Sequence, residues 1–318
     1  MRTIKVLLIA SVLIGGAAHA NANDRVRVGK AQGSAWTFLP IDIGVEQGLF
    51  AKQGIDIESV ELAGDAKLQQ ALAAGGIDFG LGSGPGMAFA AKGSPAFAVA
   101  AFAGPPRSIS AIVLHNSNIR TIADLKGKTI AVSTTGSLSD WLAKQMAIQE
   151  GWGQDGIRAA PLGAIPTSIA ALKAKQVDAV VLATEAGFRL EEQQEGNVLA
   201  TMDRYAPNFI THVVFAQKSL IPSNPDLVKR FLRGFFDAIA FVKTHKEETS
   251  RLAERVLLMS PSLARRVYDF EVGMLSDDGR FDPLAVATLK RSFIEMKTLR
   301  SEPTDAELFT TQFVPIKR

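Results

Sequence analysis

Between residues 25 and 215 short apolar, β-branched runs alternate with amphipathic stretches, and this alternation restricts the chain to layered α/β architectures with largely parallel sheets. Strands are expected at 25–29, 55–62, 78–81, 95–103, 109–114, 129–133, 157–162, 178–183, 197–202 and 210–215. Helices are expected at 40–50, 65–74, 87–92, 121–125, 138–149, 166–175 and 184–195. Pro40 opens the first helix and Gly75-Gly76 stops the second. From Pro225 the texture turns wholly helical, with Asn224 placed to cap. Leu227, Phe231 and Phe235, with Val228, Leu232 and Phe236, form a broad apolar face there.

Strong breakers cluster at 104–108, and the strand at 210–215 has no obvious covering helix. If the chain crosses between two lobes at both places, residues 109–212 form a second lobe. That lobe is inserted into a first one made of 24–108 and 213–318, which carries the C-terminal helices. Two lobes joined by two strands make a hinge-bending design with a cleft between them.

The chain begins Met1-Arg2-Thr3-Ile4-Lys5, continues with an apolar run to Gly16, and reaches Ala18-His19-Ala20. That order predicts a cleaved secretory signal peptide over residues 1–22, cut after Ala20 or Ala22, and a periplasmic product. The sequence contains no cysteine, which excludes disulfides, thiolate nucleophiles, cysteine-bound metals and a lipid-modified cysteine at the cleavage point. The mature protein is therefore expected to diffuse freely and to act as a monomer. Removing Arg2 and Lys5 leaves 33 basic residues against 32 acidic, so the formal charge falls from +3 to +1. Nothing in that balance points to nucleic acid.

In open parallel sheets ligands bind beyond the carboxyl ends of strands, where loops enter helices. Four loops have that position: Ser34-Ala35-Trp36, Gly82-Ser83-Gly84-Pro85, Thr134-Thr135-Gly136-Ser137 and Thr184-Glu185. The glycine-rich loop lets the backbone approach a ligand, with its amides directed at an anion. The Thr134–Ser137 stretch adds hydroxyls and a helix N-terminus. Each loop also reads as an ordinary turn and cap. Trp36 and Trp141 are candidate aromatic walls or core residues. Glu185 and Asp140 could each accept a cationic group on a ligand or be plain first-turn acids that favour the helix dipole. The plain reading is stronger for Asp140, because Thr184 could already cap the helix of Glu185.

The four histidines are scattered, with no metal-ligand spacing, and no metal or cofactor is expected. No serine–histidine–acid spacing or paired-carboxylate signature stands out, so the chain is not expected to be an enzyme.

The stretches "WTFLPIDIGVEQGLF", "KQGIDIESVELAGDAKLQQALAAGGIDFGLGSG", "IRTIADLKGKTIAVSTTGSLSDWLA" and "LKAKQVDAVVLATE" resemble the nitrate/sulfonate/taurine solute-binding proteins of ABC importers. These share a domain with thiamine-pyrimidine precursor proteins of the NMT1/THI5 type. The resemblance implies a type II-like periplasmic-binding fold that closes on a small solute and delivers it to an ABC permease and its ATPase. It implies ligand contacts at the loop after the first strand, at Gly82–Pro85 and at Thr135–Ser137. An anionic or zwitterionic organic solute fits these loops, a sulfonate, nitrate-like ion or carboxylate among them. A pyrimidine thiamine precursor and a sensory role beside a membrane signalling protein stay open. The cysteine-rich motif of the pyrimidine-making relative is absent.

Overall fold

The computed structural model describes residues 23–33, 35–62 and 64–317. The expected signal peptide and Ser34 lie outside the described residues.

Among the described residues, ten strands form two five-stranded sheets of the same design. The first holds β1 (Asp24–Lys30), β2 (Ile55–Glu61), β3 (Phe79–Ser83), β4 (Ala96–Ala103) and β10 (His212–Gln217), in the order β2-β1-β3-β10-β4. The second holds β5 (Ile109–Leu114), β6 (Thr129–Val132), β7 (Arg158–Pro161), β8 (Ala179–Ala183) and β9 (Gly196–Thr201), in the order β7-β6-β8-β5-β9. In each, three neighbouring strands pair in parallel, while β10 or β5 runs against both of its neighbours. The reversed strand in each sheet adjoins a segment that passes from one sheet to the other.

Among the described residues, twelve α-helices flank the sheets. In chain order they are α1 (Leu39–Glu46), α2 (Asp65–Ala73), α3 (Ala88–Ala91), α4 (Leu138–Gln149), α5 (Ile165–Lys173) and α6 (Thr184–Glu192), followed by α7 (Leu220–Ser223), α8 (Pro225–Thr244), α9 (Lys246–Val256), α10 (Pro261–Glu271), α11 (Pro283–Glu295) and α12 (Asp305–Leu308). Asn224 caps α8 through a 3.1 Å bond from the Leu227 amide, with Pro225 at the first helical position.

The core of the first sheet is aromatic. Phe231 of α8 stacks on Phe79 of β3 at 3.9 Å and on Phe50 at 5.6 Å. Phe50 fits only because Gly44 and Gly234 face it; a Cβ on Gly234 would stand 2.7 Å from its ring. A smaller apolar cluster under the second sheet contains Ile112, Val180 and Leu172.

Three local expectations are corrected. The helix expected to run to residue 50 stops at Glu46, where a turn and a short 3-10 segment take over. Gly82 and Ser83 belong to β3 rather than to a loop, because β10 pairs with β3 out to Ser83. The strand expected at 210–215 starts at His212 because the preceding residues are occupied in the crossing between sheets. There Thr211 donates its amide to the Ala103 carbonyl at 3.0 Å and its hydroxyl to the Gly104 carbonyl. The two crossing segments are thus hydrogen-bonded to each other.

Candidate functional site

The carboxyl ends of β1, β3, β6 and β8 lead into the four loops singled out above. Trp36 opens a 3-10 turn after β1 and is fully buried, with Ala35 half-buried before it. Its ring meets Tyr268 of α10 edge-on at 6.0 Å. The Trp36 amide lies close enough to the carboxylate of Glu185, the second residue of α6, to favour its charged form. Glu271 closes α10 from the other side, fully buried.

Glu185 and Glu271 lie within hydrogen-bonding reach of each other, and two carboxyls can bond only when one carries a proton. Burial pushes Glu185 above the usual carboxylate range, and burial followed by the neighbouring Glu185 charge pushes Glu271 well above it. Both oxygens of Glu271, Oε1 of Glu185 and the Trp36 indole N–H have no other hydrogen-bond partner among the described residues. Buried polar groups are normally paired, so their clustering marks this point.

The glycine-rich segment has its donors engaged. The Ser83 amide (2.8 Å) and hydroxyl (2.6 Å) both donate to Asp65 at the start of α2, and the Gly84 amide donates to the Thr211 carbonyl at 2.9 Å. Pro85 is buried in the turn that follows. Thr134 and Thr135 are exposed. Ser137 caps α4, accepting from the Asp140 amide, while the Gly136 amide donates to Asp140 Oδ2 at 2.8 Å. Asp140 is the first-turn acid that its position suggested, and Lys144 pairs with it at 2.8 Å. Thr184 does not cap α6: its hydroxyl bonds Ser110 Oγ and the Arg107 carbonyl instead.

Trp141 bridges elements flanking different sheets. Its indole N–H donates to Glu295 of α11 at 2.9 Å, Gln145 donates to the same oxygen at 2.7 Å, and its ring stacks on Phe209 at 4.7 Å. A second seam joins α6 to α10, where Arg266 pairs with Glu191 and covers the Phe188 ring at 3.7 Å.

Sequence reasoning missed Glu271, Asp65, Glu295 and His212. Glu271 had a legible signal: it continues the buried stripe of Leu263, Ala264, Val267 and Tyr268 along α10, so an acid falls on an apolar face. His212 sits at the start of β10 against Phe38 (4.8 Å) and Phe102 (5.6 Å), with Nε2 3.2 Å from the Thr37 hydroxyl.

Burial lowers His212 to about 4. The unfolded chain takes up this proton near pH 6.5, while the folded chain refuses it until about pH 4. Stability from this group is complete above pH 6.5 and lost as pH falls through that window, by about 3 kcal/mol at the acid end. Urea titrations at pH 7 and pH 4 should show that loss in wild type and a smaller one in His212→Asn; equal losses would remove His212 as the cause.

A model of the family described as "NMT1/THI5 like" matches residues 36–249, more than half of the chain. The chain belongs to the NMT1/THI5-like family. A Brucella abortus (strain 2308) binding protein is 26% identical over 258 residues, covering 80% of this chain and 78% of its own. A Haemophilus influenzae thiamine biosynthesis protein is 27% identical over 214 residues, 65% of this chain and 66% of its own. Among solved structures, the alkanesulfonate-binding protein SsuA of Xanthomonas axonopodis pv. citri superposes with a TM-score of 0.76 at 18% identity, over 93% of this chain and 98% of that one. The periplasmic aliphatic sulphonate binding protein SsuA of Escherichia coli does so with 0.76 at 20%, over 90% and 92%. The fold of this NMT1/THI5-like chain is accordingly that of the periplasmic binding proteins. The desulfurization enzyme DszB shares it more distantly, with a TM-score of 0.65 at 15% identity.

Proposed function

We propose that the chain is an exported receptor that captures a small organic solute between its two sheets and delivers it to an ABC permease and its ATPase. The observation that carries the proposal is the group of unpartnered buried polar atoms on Trp36, Glu185 and Glu271, contributed by elements that flank different sheets. Groups so placed gain a full set of partners when a ligand and both halves come together. A ligand of that kind shifts the population toward the closed arrangement by its differential contacts. The family membership and the fold shared with SsuA support the reading, and the signal-peptide pattern at residues 1–22 supports export.

Trp36, Glu185 and the neighbouring Ala35 form the centre of the proposed site. The segments at Gly82–Pro85 and Thr134–Ser137, with Trp141 and Thr184, act as its frame. Their polar groups are largely spent on internal bonds that hold the crossing segments and helix starts in place.

Native mass spectrometry of the protein purified gently from its host should reveal a bound small molecule, and adding that molecule to stripped protein should raise the melting temperature. A ligand at a hundredfold excess over its Kd stabilises by about 2.7 kcal/mol. Failure of every small solute to shift the melt, together with no bound molecule, would overturn the receptor reading.

A further inference from the structure

Each backbone segment that the sequence offers to an anion already holds one of the chain's own carboxylates. Asp65 takes the Ser83 amide and hydroxyl, and Asp140 takes the Gly136 amide. A sulfonate or nitrate approaching either segment would meet a like charge. Between them the site has the opposite character. Glu185 and Glu271 face each other from α6 and α10, more than nine-tenths buried, with three of their four oxygens otherwise unpartnered. The Trp36 indole N–H is also unpartnered, and its ring packs against Tyr268, one turn before Glu271 on the same helix.

The basic side chains nearby are directed elsewhere. Arg189, one turn along α6, donates to the Leu258 carbonyl at 3.2 Å and reaches Glu185 only as a distant favourable charge. Arg107 lies over the Phe270 ring, and Arg266 is taken by Glu191. Two buried carboxyls without a protein cation are tolerated only by holding a proton or by meeting a cation from outside.

We propose that the ammonium or amidinium group of a small organic cation or zwitterion parts Glu185 from Glu271 and takes the place of the proton they share. The inference rests on the receptor function proposed above and narrows its ligand to solutes carrying a protonated nitrogen. Such a group supplies the N–H donors that the free oxygens lack, and its charge replaces the proton held between the two carboxyls. Binding therefore releases protons, and affinity rises with pH over the range in which the pair titrates. Plain sulfonates, nitrate and carboxylates should bind poorly.

The test is a melting-temperature screen of the ligand-free mature chain at pH 8 against several hundred small metabolites grouped by charge. Butylamine, benzamidine and taurine serve as nitrogen-bearing probes, and butanesulfonate, nitrate and butanoate as plain anions. Every stabilising compound should carry a protonated nitrogen. Glu185→Gln and Glu271→Gln should weaken the strongest of them at least about thirtyfold by calorimetry, and titration in buffers of different ionisation enthalpy should show proton release. Each Gln variant removes a buried charge while keeping shape, so its ligand-free melt at pH 8 should equal or exceed that of wild type, separating lost binding from lost folding. Stabilisation by plain anions alone, or undiminished binding in both variants, overturns the cation assignment while leaving a receptor. Stabilisation by nothing at all overturns the receptor reading itself.

Discussion

Gly84→Ala should destabilise the protein by about 3–5 kcal/mol, through overpacking and the hydrogen bonds broken to relieve it. A Cβ at this position would overlap the Ile210 carbonyl oxygen, a backbone atom that cannot swing aside as a side-chain tip can. Relief requires moving the segment that crosses from the second sheet to the first. That motion stretches the bond from the Gly84 amide to the Thr211 carbonyl (2.9 Å) and the bond from the Thr211 amide to the Ala103 carbonyl (3.0 Å), which ties the two crossing segments together. The damage falls on the hinge, so the variant should also respond less to any stabilising ligand. Gly86→Ala is the control: its Cβ would meet side-chain atoms only, the Asp65 carboxylate at 3.1 Å and the Phe215 ring at 3.3 Å, and its cost should stay well below that of Gly84→Ala, at about 1–2 kcal/mol. Urea unfolding followed by circular dichroism compares the two. Similar midpoints for both variants would show that the crossing segment yields easily, contrary to the packing described.

Phe231→Ala should cost about 4–5 kcal/mol, the upper part of the range for removing a buried aromatic. The ring is wholly buried between Phe79 (3.9 Å) and Phe50 (5.6 Å), and a third, nearly parallel partner, Phe235, lies 6.3 Å away. Its loss opens a cavity between α8 and the first sheet and removes stacking contacts worth about 0.5–1.5 kcal/mol each. Phe231→Leu keeps most of the volume and should cost markedly less. A loss below about 1 kcal/mol for the alanine variant would mean that α8 can collapse onto the sheet, which the close fit of Phe50 against Gly44 and Gly234 argues against.

The sequence by itself determined the α/β layers, the breaks in the alternating pattern, the helical C-terminal part and the candidacy of Glu185. These are local matters. Alternating apolar runs, the Gly104-Pro105-Pro106 break, and a strand entering a helix at Thr184-Glu185 act within a few residues of themselves, and periodicity and turn chemistry report them directly. Only the tertiary structure decided which polar groups are paired with one another and which are buried without a partner. A glycine-rich stretch followed by a helix reads as an anion cradle whether or not its amides are free, and nothing near Ser83 announces that Asp65 has taken them. Glu271 reads alone as a helix-ending acid that happens to fall on an apolar stripe. The packing of α10 against α6 is what buries it opposite Glu185, where neither carboxyl forms an ion pair with a described basic side chain. Polar satisfaction is settled by pairings between segments distant in the chain, so it becomes legible only once the two sheets and their helices are in place.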